Sequence, residues 1–600
     1  MTLWAASQVA VATDYYVATT GNNSNSGTTP SAPLLTVTKA ASKVKAGDVV
    51  YIAEGTYSEM DITPANSGSA AGYIVFCPLN DSAKVVFSSA DGMSDDVSKS
   101  VFKLTSKSYV CLRGLEFRRI TYLKSAIQMG GAKHCVVTDC VFDTMGTSET
   151  ASYGGTASIW MSNATNCTVQ NNLFLNIYGD GISLSERASA NLCCNNTFSG
   201  MKGKARTWST SMFSSGITVQ GVSDELVHGY NLICFNNFVD GQDGIWLDRG
   251  ASSNAMVRNT GTGGQRLIFN ESRCTNNLVQ ENIAINATQS GFRSALYDDT
   301  DFSAETRWVG NVAFGCPYGF YIDKSNGNEL VGNIVYRSTT YSLVYSQKAI
   351  EGGASTFSNN LWYAPSLGLQ FLYGGKKMKG AAFATSSGET DGIYSSDPLF
   401  ASIRAPYDFT LKATSPAKGA GYDGVDMGAY AVYAHRDVGH GLAAGHCSES
   451  MPYFDTVLSE AEQGETATIR VVLPRAAAEA TTLTLTPMAG EAREGVDYTL
   501  SSPSITIASG RLYATATISF VRRSDVRSKL ILFGLTDAEG NVVGSAPYKA
   551  FVIAGADITG ITQPGNNHAD SHAGPRKYIR DGQLIISRGG KWYNTAGQQL

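Results

Sequence analysis

Gly244-Ile245-Trp246-Leu247-Asp248 and Leu267-Ile268-Phe269-Asn270-Glu271 read as one strand written twice. A shift of 23 residues lays Ile on Ile, Trp on Phe and Asp on Glu. A repeat of that length predicts strands stacked coil upon coil in a parallel solenoid. Stacked strands lie about 4.8 Å apart, which puts Asp248 and Glu271 roughly 5 Å apart on one outward face.

The echo extends along the chain. Ile127, Ile159, Ile182, Ile217, Ile245, Ile268, Phe292 and Phe320 occupy one column in short strand motifs. Period-two alternation turns this column inward and the next and third-next residues outward. The shortest steps, near 23 residues, define one coil, and longer steps are loops inserted between coils. A second marker is Asn before an apolar run, at Asn172, Asn196, Asn237, Asn282, Asn311, Asn333 and Asn360. Asn tolerates turns and can bond a neighbouring coil through its amide. A β-propeller needs about 40 or more residues per blade and does not fit this spacing.

Composition agrees. The 600 residues carry 16% charged residues and 62 Gly, as expected for a turn-rich all-β chain. A net charge of −5 gives no pull toward nucleic acid. The eleven Cys are scattered inside strand-like runs without metal spacing, and read as small buried thiols of the stacked core. No apolar run is long enough for a transmembrane helix. The apolar stretch Leu3 to Ala12 reads either as the remnant of a signal peptide that starts upstream or as a simple disordered N-terminus.

At the start come a strand at Tyr15 to Ala18, an amphipathic helix over Pro33 to Lys45, a strand at Gly47 to Ile52, and Gly55-Thr56-Tyr57. This order resembles the N-terminal segment of secreted right-handed parallel β-helix proteins, in which the helix covers the open first coil. Asp397-Pro398-Leu399-Phe400 through Gly428-Ala429-Tyr430 resembles their closing segment. The expected fold is therefore an all-β, right-handed parallel β-helix (a pectin-lyase-like solenoid) over 13–432. Alternating strands without the coil period predict a small β-sandwich over 451–555. Its Gly495-Val496-Asp497-Tyr498 resembles a Calx-β module, although its acidic clusters are too thin to carry over Ca²⁺ binding. Residues 577–600 predict a hairpin and resemble the C-terminal tail of exported Bacteroidota proteins, which implies a secreted or cell-surface bacterial protein. We expect a monomer.

The outward columns carry the chemistry. The column of Asp248 and Glu271 reads Gly130, Ser162, Ser185, Gln220, Asp248, Glu271, Ala295, Asp323, with carboxylates on adjacent coils at one place only. Like charges that close repel by roughly 3 kcal/mol at an effective dielectric near 20. The repulsion raises one pKa, as an acid/base beside an ionised nucleophile requires. The opposing reading makes both solvated surface residues paired with Arg249, Arg273 or Arg293. The neighbouring column reads Gln128, Trp160, Ser183, Thr218, Trp246, Phe269, Arg293, Tyr321. Its aromatics either stack on sugar rings or lie buried beneath loops.

The run from Gly244 to Asp248, Leu267 to Glu271 and Leu278 to Ile283 resembles glycoside hydrolase family 120, the β-xylosidase type. The resemblance implies hydrolysis of an oligo- or polysaccharide by a retaining two-carboxylate mechanism, with Asp248 as nucleophile and Glu271 as acid/base. It requires no cofactor or metal. Asp243, Trp246, Arg249, Phe269, Asn270, Arg293 and Tyr321 are the expected substrate contacts, Asp243 being alternatively a turn former. A Ca²⁺-dependent polysaccharide lyase is the second reading, with Asp298, Asp299 and Asp301 for the metal and Lys324 as base. A non-catalytic glycan-binding solenoid is the third.

Overall fold

The computed structural model describes residues 12–80, 82–88, 99–120, 125–146, 157–202, 214–222, 226–295, 303–352, 355–368, 370–429, 451–474, 476–524 and 527–555. It also gives the backbone of strands Lys204–Arg206, Ser209–Phe213, Arg576–Arg580, Gln583–Arg588 and Lys591–Asn594. Three long sheets of 13, 12 and 12 strands dominate, and each coil contributes one strand to each. Apart from the antiparallel pair Phe371–Tyr373 and Lys376–Met378 at the end of the third sheet, the pairings within the stack are parallel, giving the expected right-handed parallel β-helix. In the third sheet, Ile127, Ile159, Ile182, Ile217, Ile245, Ile268, Phe292 and Phe320 stand in direct register. All eight are fully buried, as period-two alternation requires.

Two further ladders hold the coils at constant pitch. Phe117, Phe142, Phe174, Phe198 and Phe238 stack face to face at 4.6–5.0 Å. The stack ends at Gly261, where an added Cβ would lie 2.7 Å from Leu267 Cδ1, so Leu267 fills the space from the neighbouring sheet. The second ladder is amide. Asn172, Asn196, Asn236, Asn259, Asn282, Asn311 and Asn333 each donate Nδ2–H to the Oδ1 of the next, ending on Asn360, at 2.9–3.0 Å. Asn360 donates to the Glu389 carboxylate. The ladder residue is Asn236, not Asn237, which lies one position later on a strand, and Asn259 belongs to it as well. Asn191, Asn231, Asn254 and Asn277 build a parallel ladder that the sequence did not disclose.

Asn282 also donates to Met256 O at 2.9 Å and accepts the Asn259 backbone N–H at 2.9 Å. Asn282→Leu therefore leaves at least two buried backbone groups unpaired, at about 1–3 kcal/mol each. We expect a loss of about 3–5 kcal/mol, read from the urea unfolding midpoint.

The first coil is covered by a helix, Val37–Ala41, shorter than the expected Pro33 to Lys45. Glu59 fixes its start by accepting the N–H groups of Val37 and Thr38 at 2.7 Å each, and Thr36 caps it. Ser42 ends it, its N–H turned back onto Thr38 O and Ala40 O. At the other end, Phe400, Phe409, Leu411 and Met427 pack on Val312, Ile334 and Leu361 of the second sheet.

The sandwich consists of a four-stranded and a five-stranded sheet between Tyr453 and Ile553. It docks along the outer face of the first sheet. Leu458, Leu530, Leu532, Tyr548 and Ala550 share one apolar cluster with Val75, Val136, Leu232 and Val257. Cys77, Cys111, Cys194 and Cys234 lie in this interface, while Cys135, Cys140, Cys167, Cys193, Cys274 and Cys316 line the interior of the coil. Among the described residues the thiols are buried as expected, four of them outside the stacked core, while Cys447 lies outside the described residues. Asp423 of the closing segment bonds Arg493, Arg523 and Lys529 of the sandwich at 2.7–3.0 Å. Asp497 is likewise held by Arg523 and Lys529. Separately, Arg576–Arg580, Gln583–Arg588 and Lys591–Asn594 form a three-stranded antiparallel sheet, one strand more than the expected hairpin. Residues 1–11 and 430–450, with the proposed leader and linker, lie outside the described residues. Among the described residues no helix is long and apolar enough to cross a membrane.

Candidate active site

The site lies on the outer face of the third sheet, where each strand presents its outward residues side by side. Strand Asp243–Asp248 presents Asp243, Trp246 and Asp248. Strand Arg266–Asn270 lies beside it, pairing Asp243 with Arg266 and Trp246 with Phe269, and the same register brings Glu271 alongside Asp248. The next strands bring Arg293, then Tyr321. The two strands are adjacent rungs, about 4.8 Å apart at the backbone.

Each acid has a distinct setting. Glu271 is 3% exposed, and one carboxyl oxygen accepts the Trp246 indole N–H at 2.7 Å. Asp248 accepts the Arg249 backbone N–H at 2.8 Å and Gln220 Nε2–H at 3.1 Å. The Arg249 guanidinium stands 3.7 Å from it and reaches solvent. Burial, then the charge of Asp248, push the Glu271 carboxyl up to about 8, against the downward pull of the Trp246 hydrogen bond. Glu271 therefore holds a proton at neutral pH beside a carboxylate with three cationic or N–H partners.

Behind the pair runs an alternating stack of guanidinium and ring. Arg266 bonds Asp243 with two nitrogens, at 2.5 and 2.9 Å. It covers one side of Phe269 at 4.4 Å. Arg293 lies 5.3 Å from the same ring and 5.0 Å from Tyr321. Burial pushes the Asp243 carboxyl up, and Arg266 and Arg293 oppose the shift.

Asp248 and Glu271 thus come together as the repeat predicts, but both are largely buried rather than solvated. Trp246 and Phe269 are 7% and 4% exposed and pack with Ala295, so they are not open platforms for a sugar. Trp246 instead orients Glu271, and Phe269 spaces the two arginines. Asp243 is neither a turn former nor a free contact, because Arg266 takes its carboxylate. Asn270 faces inward in register with Leu247, bonded to Thr306 and Asn277. The fourth position of the motif is an interior one, so Asn270 supports the coil. Arg249, Arg293 and Tyr321 lie on the accessible face. Gln220 stands in the outward column without an expected role, and Arg266 is not expected at the site, although the 23-residue shift that pairs Asp248 with Glu271 also pairs Asp243 with Arg266. Asp298, Asp299 and Asp301 lie outside the described residues, and Lys324 is half-buried just past the strand Tyr318–Ile322. Among the described residues no group of three or more His, Cys, Asp or Glu side chains is placed to hold a metal.

Comparison with known proteins adds the following. Residues 19–62 match a family described as a protein of unknown function, DUF1565. No curated protein matches the chain. Among solved structures, a complex of XylC with xylose is similar at 14% identity and TM-score 0.40, over 58% of this chain and 83% of that one. The periplasmic alginate epimerase AlgG is similar at 12% identity and TM-score 0.29, over 49% and 69%. A mutant tailspike protein of the E. coli bacteriophage HK620, in complex with a hexasaccharide, is similar at 10% identity and TM-score 0.35, over 80% and 82%.

Proposed function

We propose that the protein is a retaining glycoside hydrolase, with Glu271 as general acid/base and Asp248 as nucleophile. The observation that carries this reading is a buried carboxyl, raised to about 8, one rung from a second carboxylate with hydrogen-bond donors of its own. Carboxylates on adjacent strands, whose backbones lie about 4.8 Å apart, suit the roughly 5–5.5 Å separation of a retaining pair.

In the first step Asp248 attacks the anomeric carbon while Glu271 passes its proton to the departing glycosidic oxygen. The Asp248 carboxylate becomes an ester and loses its charge. One cause of the raised Glu271 pKa is then gone, so Glu271 becomes more acidic and can take a proton from water in the second step. Water returns to the anomeric carbon, and Asp248 leaves as the carboxylate.

Aryl β-glycosides and linear oligosaccharides test the reaction. Asp248→Asn should lower kcat by about a thousandfold or more, and NMR of the first product should show retained anomeric configuration. Products absorbing in the ultraviolet, with activity lost in EDTA, would replace this reading with the lyase. Trp246→Phe removes a hydrogen bond that favours the ionised form of Glu271. The basic limb of kcat/KM against pH should therefore move upward by about one unit.

A further inference from the structure

The residue before Glu271 breaks the pattern of the coil interior. In the fourth, inward column of the third sheet, Met161, Leu184, Val219 and Leu247 come before it and Ile322 and Tyr345 after it, all buried. Between them stand Asn270 and Ser294, both fully buried. Among the described residues this column is polar only at the rung that leads into Glu271 and at the next. The ladder of Asn191, Asn231, Asn254 and Asn277 shows where the Asn270 amide goes. The register of Leu278 with Arg307 puts Thr306 where the next Asn belongs, and a hydroxyl cannot continue an amide ladder. The Asn270 side chain crosses the interior and fills the break. Its Oδ1 accepts the Asn277 Nδ2–H at 3.3 Å, and its own Nδ2–H donates to Thr306 Oγ1 at 3.0 Å. Ser294 Oγ lies 3.4 Å from the same nitrogen.

Stability alone does not ask for this arrangement. A buried amide costs free energy unless it is bonded, and the apolar residues of the neighbouring rungs fill the same position without needing a partner. An Asn in place of Thr306 would carry the ladder on to Asn328, one rung further, and leave position 270 to an apolar residue. The polar group is anchored instead to the strand that carries the acid. Fully bonded polar groups in a core fix one arrangement more than they stabilise it. Glu271 needs such fixing, because it lies one residue past the last paired position of its strand, Asn270 with Leu247. Its N–H donates to Leu247 O at 2.9 Å, and its carbonyl accepts Ser303 Oγ–H at 3.1 Å and Cys274 N–H at 3.2 Å. Among the described residues its carboxyl takes one hydrogen bond, from the Trp246 indole.

We propose that Asn270 is a positioning residue: its amide, spliced into the break of the ladder, sets the strand so that the Glu271 carboxyl meets the Trp246 indole beside Asp248. Trp246 orients the carboxyl from outside the coil, and Asn270 holds the backbone beneath it from inside. The consequence for catalysis rests on the glycosidase reading; the placement of Glu271 does not.

Fluorine NMR of the full chain labelled with fluorotryptophan reads the placement directly. Of the seven Trp signals, the one lost in Trp246→Phe should titrate with a midpoint of about 8, following Glu271. Asn270→Leu should displace that signal and raise its midpoint by about half a unit or more, because a weakened indole bond favours the ionised carboxyl less. In the same variant kcat should fall by about tenfold or more, with KM changed by less than about twofold. Asn191→Leu breaks the same ladder three rungs before Asn277, and should lower the melting temperature while leaving the signal and its midpoint in place. Asn270→Leu with Thr306→Asn continues the ladder without the splice. It should recover the melting temperature of the parent and keep the displaced signal. The proposal is overturned if the parent signal does not titrate, if Asn270→Leu leaves signal and midpoint unchanged, if Asn191→Leu shifts them as much, or if the double variant restores them. Failure of the glycosidase reading shows differently, as a parent protein that hydrolyses nothing and whose Trp246 signal Asn270→Leu still displaces.

Discussion

Glu271→Gln should lower kcat by about a thousandfold and at the same time make the protein more stable at alkaline pH. The rate falls because Gln carries no transferable proton. Stability moves the other way because the folded Glu271 carboxyl sits at about 8, against an ordinary 4.5. Below pH 4.5 the group is protonated in both folded and unfolded chains, so its ionisation biases neither. Between 4.5 and 8 the unfolded chain ionises while the folded one resists, and stability is lost as pH rises. Above 8 the loss is complete, on the order of 4 kcal/mol. Gln never ionises and still accepts the Trp246 N–H, so the variant escapes this loss. Melting curves of parent and variant should therefore diverge upward from about pH 5 and run parallel above pH 8–9. Curves that stay parallel throughout would mean that Glu271 is not held protonated, and the proposed acid would be lost with it.

The legibility of this site in the sequence follows its periodicity. The inward Ile column is repetitive because every coil must bury the same position, so the fold can be read from one echo at 23 residues. Asp248 and Glu271 share a column and are legible for the same reason. Side-chain partners within a rung follow no period. Nothing in the order of residues says that the Trp246 indole turns onto Glu271 instead of a sugar, or that Phe269 lies between two guanidinium groups. Asn270, expected among the substrate contacts beside Glu271, lies inside, as alternation requires of the fourth position. The docking of the sandwich left no local signal either. Cys194 and Cys234 point outward and remain buried only because Tyr548 and Leu532, some 300 residues later, cover that sheet.

Arg266→Ala should be the most damaging single substitution for stability near the site, at about 3–5 kcal/mol by urea unfolding. Asp243 and Arg266 are 6% and 7% exposed, so removing the guanidinium leaves a carboxyl buried without its partner and strips one face of Phe269. The cost belongs to the orphaned acid more than to the pair. Replacing both, as Asp243→Leu with Arg266→Met, should return most of the lost stability, because an apolar pair of similar volume avoids the desolvation of two charges. Activity should not return with it. Arg266 pulls the Glu271 carboxyl down and Asp243 pushes it up, and Arg266 also fixes the ring that separates it from Arg293. A double variant that folds as well as the parent yet hydrolyses at least tenfold more slowly would show that this ion pair is kept for the field it sets around Glu271. Full recovery of both properties would reduce the pair to packing. The expectation of lost activity follows from geometry: the two carboxylates proposed to do the chemistry share a rung boundary with the charges of Asp243 and Arg266, and both of these charges act on the proton of Glu271.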